Sequence, residues 1–262
     1  MSDHGVPELV LNIQSINHEM RLANMKKTNF SRSSVFGCLF VTMLAANAVQ
    51  AAEIESSIAR GARLYDKWYK VIDTEAPTES HSLYPSDKAY AEKPGANWRC
   101  KECHGWDYMG RDGAYASGKH ASGIAGINGA AGMPANKIIS TLKASEHGFA
   151  DLLSDQDFTD LANFVSKGQV DMDVFVDRAS KAPKGDAAKG EVYYNTICAN
   201  CHGKDGKMPE DMKPFGAQMG NPWEVMHKIL NGQPGEDMPA LRALDHQIIA
   251  DIMSHMATLS KE

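Results

Sequence analysis

The sequence is short of several things, and each shortage narrows what the protein can do. It has no excess of positive charge, with 27 Lys and Arg against 33 Asp and Glu and a formal net charge of −6. A basic field that would attract nucleic acid is therefore missing. It has no apolar run of the roughly 20 residues that a membrane-spanning helix needs. The run from Val35 to Ala46 is the nearest approach. No stretch alternates apolar and polar residues convincingly, so strands are not expected. Cysteine is scarce, with five in 262 residues: Cys38, Cys100, Cys103, Cys198 and Cys201.

What is present begins with the N-terminal region. Met25-Lys26-Lys27 opens a basic stretch that includes Arg32, the apolar run follows, and small residues lead to Val49-Gln50-Ala51. Basic start, short apolar middle and small-residue exit are the three parts of a secretory signal. Residues 25–51 are predicted to be that signal, cut before Ala52, which sends the chain to the periplasm and leaves no stable membrane span. Residues 1–24 lack this character and are predicted to be an upstream extension, with Met25 or Met20 as the true start. Cys38 falls inside the leader. A lipid-attachment reading suits it poorly, because the apolar run lies mostly after it.

The other four cysteines form two pairs, each followed by histidine: Cys100-Lys101-Glu102-Cys103-His104 and Cys198-Ala199-Asn200-Cys201-His202. Cys-x-x-Cys-His is the attachment pattern for c-type haem. Two thiols at that spacing can add to the two vinyl groups of one porphyrin, and the next residue sets its imidazole under the iron. Other uses of such pairs fit less well. A thioredoxin-like pair wants a strand-rich surround, and a four-cysteine zinc site does not call for histidine after both pairs. A disulfide within each pair is the remaining alternative in an oxidising compartment. Two motifs behind a signal, with no cysteine left over, point to two covalently bound haem c groups.

The segments around the motifs repeat. Gly190, Tyr194 and Cys198 are spaced to share a helix face that ends at the second motif. Gly61 and Tyr65 match the same helix start, but Cys100 follows 39 residues after the glycine instead of eight. The extra stretch, about 70–98, holds Pro77, Pro85 and Pro94 and is predicted to be a loop or flap. Each half closes with an amphipathic helix. The first is about 155–167, with Phe158, Leu161, Phe164 and Val165 on one face. The second is about 245–259, with Ile248, Ile249, Ile252, Met253 and Met256. Ser154 and Asp245 are the candidate N-caps. Segment 177–188, rich in Lys, Ala, Gly and Asp, reads as a linker.

Helix, Cys-x-x-Cys-His, loops and closing helix together resemble the class I cytochrome c fold, present twice over residues 54–260. The resemblance implies an all-α chain of two cytochrome c-like domains in tandem, 52–176 and 189–262, each enclosing one haem. That suits the physics, since a domain near 100 residues has little apolar core of its own. In the family the sixth iron ligand is usually a methionine in the loop before the last helix. Met238-Pro239 matches that position in the second half. His202 is then the proximal ligand, with Met208, Met219 and His227 assigned to the attachment turn, to packing and to the surface.

The sixth ligand of the first haem stays open at this stage. His104 is proximal, and Met109, His120, Met133 and His147 are candidates opposite it. Aligning Asp160 with Asp251 in the closing helices sets His147 on Met238, which favours bis-histidine ligation. Met133-Pro134 is the rival but precedes the penultimate helix, about 136–144. Thioether ligation raises a haem potential, so haem 1 is predicted to be the lower-potential centre. Trp98, Arg99, Trp106 and Tyr108 at the first haem, and Trp223 at the second, are candidate pocket residues. An arginine can pair with a propionate, and an indole or phenol can donate to one.

These readings describe an electron carrier working between redox proteins: a periplasmic dehydrogenase or membrane complex as donor, an oxidase or reductase as acceptor. Two alternatives remain. One is a haem enzyme with an open iron at haem 1, using His120 and Tyr108 as distal groups. The other is the redox subunit of a larger oxidoreductase.

Overall fold

The structure, a computed structural model, describes the backbone of residues 32–262 and side chains from residue 51 onward. The predicted extension (1–24) lies outside the described residues, as do the side chains of the predicted signal segment before Ala51. The described residues are helical and contain no strand, only isolated bridges at Gly110–Ala125 and Val176–Pro183. None of the described helices is long and apolar enough to cross a membrane.

The first half opens with α1 (Arg32–Val71). Its backbone leaves helical geometry at Lys67 (φ −157°, ψ 75°). The physical reason is a side chain in the ladder: Arg99 Nε donates to the Asp66 carbonyl, 2.7 Å away, which a helix would offer to the next turn. A run of turns carries the chain through the 70–98 stretch to α2 (Pro94–Asn97) and the haem-motif turn α3 (Cys100–His104). After a long loop come α4 (Ala135–Lys143) and α5 (Asp155–Asn163), which passes into a π turn at Phe164–Gly168. The Ser154 hydroxyl and the Asp157 carboxylate cap α5 reciprocally, each taking the other's backbone N–H.

The second half is shorter. Asp186 caps α6 (Ala187–Ile197), and α7 (Ala199–His202) follows at once with the second motif. Then come α8 (Phe215–Gln218), α9 (Pro222–Asn231) and α10 (His246–Met256), the last capped by Asp245 on the N–H of Gln247.

One crossing organises each half. A Cβ on Gly61 would collide with the carbonyl of Asp160, and a Cβ on Gly190 with the carbonyl of Asp251. Opening and closing helices therefore touch backbone to backbone at a glycine in both halves. One turn later the phenols repeat the pattern. Tyr65 Oη donates to the Gly105 carbonyl at 2.6 Å, and Tyr194 Oη to the Gly203 carbonyl at 2.7 Å. Each ties its opening helix to the residue just after a haem-motif histidine.

Residues Ala51–Glu262 form a single compact unit, and one continuous apolar core runs through both halves. The seam between them is α9 against α1 and the loop after His104. His227 lies at its centre, fully buried. Its Nε2 donates to the Ala62 carbonyl at 3.0 Å, and its Nδ1 accepts from Tyr108 Oη at 2.9 Å. The surface position expected for His227 is thus corrected. Arg242 adds bonds to Glu55, Asn231 and the Gly168 carbonyl. Segment 177–188 is fastened as well: Arg178 Nη1 lies 2.6 Å from the buried Asp107 carboxylate.

Candidate haem sites

The two motif turns present their side chains alike. In α3, one helical turn sets Cys100, Cys103 and His104 on one side and turns Glu102 away from them. His104 Nδ1 lies 2.7 Å from the Ala125 carbonyl. His202 Nδ1 lies 3.1 Å from the Met208 carbonyl. A carbonyl only accepts, so the proton sits on Nδ1 in both rings and Nε2 keeps its lone pair, the tautomer a metal-ligating histidine needs. Burial also holds the His104 pKa below its ordinary value. The Met208-Pro209 pair thus serves the site through its main chain, by orienting His202.

The cysteine surroundings are apolar. Burial pushes the Cys100 and Cys103 thiols up to about 12 and the Cys198 thiol up to about 11. Thiols held protonated in this way are not activated as thiolates, although all four cysteines keep some exposure and Cys201 is exposed. All four sulfurs are free of disulfides. Among the described residues no group of three or more His, Cys, Asp or Glu is gathered to hold a metal ion, as a zinc reading would require.

Each half has a loop between its penultimate and closing helices. His147 follows α4 and precedes α5; Met238 follows α9 and precedes α10. The two occupy the same place in their halves. His147 is half-buried, and burial holds its pKa below the ordinary value. A charge on it or on His81 would further oppose protonation of His104. The Met238 loop is folded back on α9 by bonds from Leu241 N to the Ile229 carbonyl and from Arg242 N to the Leu230 carbonyl. Gly232 (φ +86°) lets the Met238 carbonyl approach; a Cβ there would be 2.6 Å from it. Met133 lies on the other side of α4, half-buried against the core, with its carbonyl accepting from Ser166 Oγ.

The structure puts other candidates to different use. Both ring nitrogens of His120 have protein partners, Nε2 at the Tyr90 hydroxyl and Nδ1 at Glu102. Its Nδ1 is 2.7 Å from the buried Glu102 carboxylate, on the outer side of α3, and its ring is stacked between Tyr90 and Tyr115. Met109 Sδ accepts from Arg178 at 3.3 Å. Tyr108 spends its hydroxyl on His227. Arg99 pairs with the buried Asp66, and Trp98 Nε1 donates to the Glu79 carbonyl at 2.8 Å. Trp106 is buried in the seam, 5.1 Å from the His227 ring centroid. Arg99, Trp98 and Tyr108 thus each have a protein partner, and Trp98 also borders a cavity. With Trp68, Ile72, Pro77, Gly148 and Leu152 it lines that cavity, of about 550 Å³, beside the His147 loop.

Trp223 behaves differently. It is buried at the start of α9, and its Nε1–H has no partner. A buried donor without an acceptor is costly, so this indole fits an acceptor that the polypeptide does not supply. Motif cysteines, imidazoles with free Nε2 atoms, and this donor suit covalently held haem.

Sequence reasoning missed His81 and the seam role of His227. Nothing in their local pattern marks either one, because the partners lie 66 and 165 residues away.

No curated protein and no solved structure matches the chain. Residues 185–256 match the family described as cytochrome c oxidase, cbb3-type, subunit III. The match covers the second motif, Trp223 and Met238, and so supports an all-α, haem-binding cytochrome c domain with an electron-transfer role in this part of the chain.

Proposed function

We propose that the protein is an exported dihaem cytochrome c that passes single electrons between redox partners. The observation that carries this reading is the repeated cluster: crossing glycine, phenol tied behind the motif, and motif histidine pinned through Nδ1. It occurs around Cys100–His104 and again around Cys198–His202. In this reading Cys100, Cys103, Cys198 and Cys201 hold two haem c groups, and His104 and His202 are the proximal ligands. His147 and Met238 complete the coordination, and Trp223 donates to a propionate of the second haem.

The bound haem supplies a one-electron iron couple. The chain's residues do the rest. The carbonyls of Ala125 and Met208 orient the imidazoles, the apolar core excludes water, and the ligand loops set which oxidation state is favoured. His/His ligation at the first iron and His/Met at the second make haem 1 the lower-potential centre. Electrons then run from the 100–147 side to the 198–238 side.

Near-infrared magnetic circular dichroism of the oxidised mature protein tests this directly. One bis-histidine band and one His/Met band, with a mass increase of two haems, are the expected result. A single haem, or a high-spin component, would overturn it.

A second reading is favoured by one finding. The matching family is described as a subunit of an oxidase, so the chain is alternatively the electron-transfer subunit of a larger oxidoreductase. Co-elution with a larger protein from native extract would distinguish the two.

A further inference from the structure

The 70–98 insertion carries a histidine that the haem sites do not use as a ligand. His81 is 7% exposed, and each of its polar groups has a partner. Its main-chain N–H donates to Asn97 Oδ1 at 3.0 Å. Leu83 N donates to its Nδ1 at 3.2 Å, which fixes the ring proton on Nε2. That Nε2–H points at the main-chain carbonyl of His147, 3.0 Å away. The ring meets Trp98 edge to face, with centroids 4.4 Å apart. Asn97 holds the rest of the insertion by donating to the carbonyls of Tyr90 and Ala91.

We infer that the insertion is a clamp on the ligand loop of the first haem, with His81 as the positioning residue. It rests on reading His147 as the sixth ligand. Among the described residues nothing else bonds across from the insertion to that residue's own backbone. The second half has no such insertion: its chain runs from α6 into Cys198, and the Met238 loop is held by α9 instead. The first half lacks the matching bonds from α4 to its loop, and the His81 bond stands in their place. A ligand loop fixed at its backbone gives up its imidazole rarely, so an outside ligand reaches the first iron slowly.

The test is cyanide binding to the ferric holoprotein, followed by absorbance, with the near-infrared bands recorded for each variant. H81F keeps a ring against Trp98 but has no donor. H81Q keeps a donor. H147A removes the proposed ligand. The expected result is cyanide binding about five- to tenfold faster in H81F, the order of one lost hydrogen bond. H81Q should return towards the parent rate, and the His/Met band should stay constant as an internal gauge of folding. A parent rate in H81F, with the bis-histidine band lost in H147A, overturns the clamp alone. Retention of that band in H147A overturns the ligand assignment and the clamp with it.

Discussion

At the scale of single residues, two side chains have consequences that can be measured. His227 is buried neutral, and burial lowers its pKa to about 4. Asp66 favours its protonated form, while Lys228 and Arg242 oppose it. Tyr65, Tyr108 and Trp106 complete its surroundings. Unfolded, the ring titrates near 6.5. Between those values the unfolded chain binds the extra proton, so stability rises with pH there. The contribution is fully present above pH 6.5 and is lost as pH falls to about 4, roughly 3 kcal/mol in all. Denaturant melts at pH 7 and pH 5 should therefore differ less in H227Q than in the parent, and equal pH slopes would remove His227 from this role. The second residue is Trp223. W223F deletes a donor whose acceptor is the proposed propionate. The potential of the His202 centre should fall while the other stays, and an unmoved potential would deny the contact.

At the scale of elements, the glycine crossings are the tightest constraint. Gly61→Ala and Gly190→Ala each force α1 from α5 or α6 from α10, costing about 1–3 kcal/mol or more by overpacking. Thermal melts of both should show it, with Gly95→Ala, which meets only ordinary contacts, as the control. These elements were legible in the sequence because their signals are local. The caps at Ser154 and Asp245, the closing helices and the two motif turns all announce themselves within a few residues. The first closing helix departs from its expected end at Lys167 only because its last turn widens to a π turn. Roles that depend on distant partners were not legible. Arg99 is pulled to Asp66 and Tyr108 to His227 by folding, and no spacing rule reports that. His120 was a candidate by residue type alone; buried Glu102 and two tyrosine faces claim it instead.

At the scale of the whole molecule, the proposed function makes two predictions. A redox titration should give two steps, with the His104 centre reduced at the lower potential; one step with equal potentials removes the direction of transfer. The chain carries a formal charge of −6. Electron exchange with a basic partner should therefore slow as salt is raised, and a rate indifferent to ionic strength would argue against an electrostatic encounter.

The buried seam of α9 against α1 also bears on what chain continuity is for. His227, Arg242 and Trp106 join the halves through core contacts, so the peptide link at 177–188 is not what keeps them together. A protease cut at exposed Lys181 would give two fragments by denaturing gel and one particle by gel filtration. The halves behave less as beads on a string than as two subunits that happen to share a backbone.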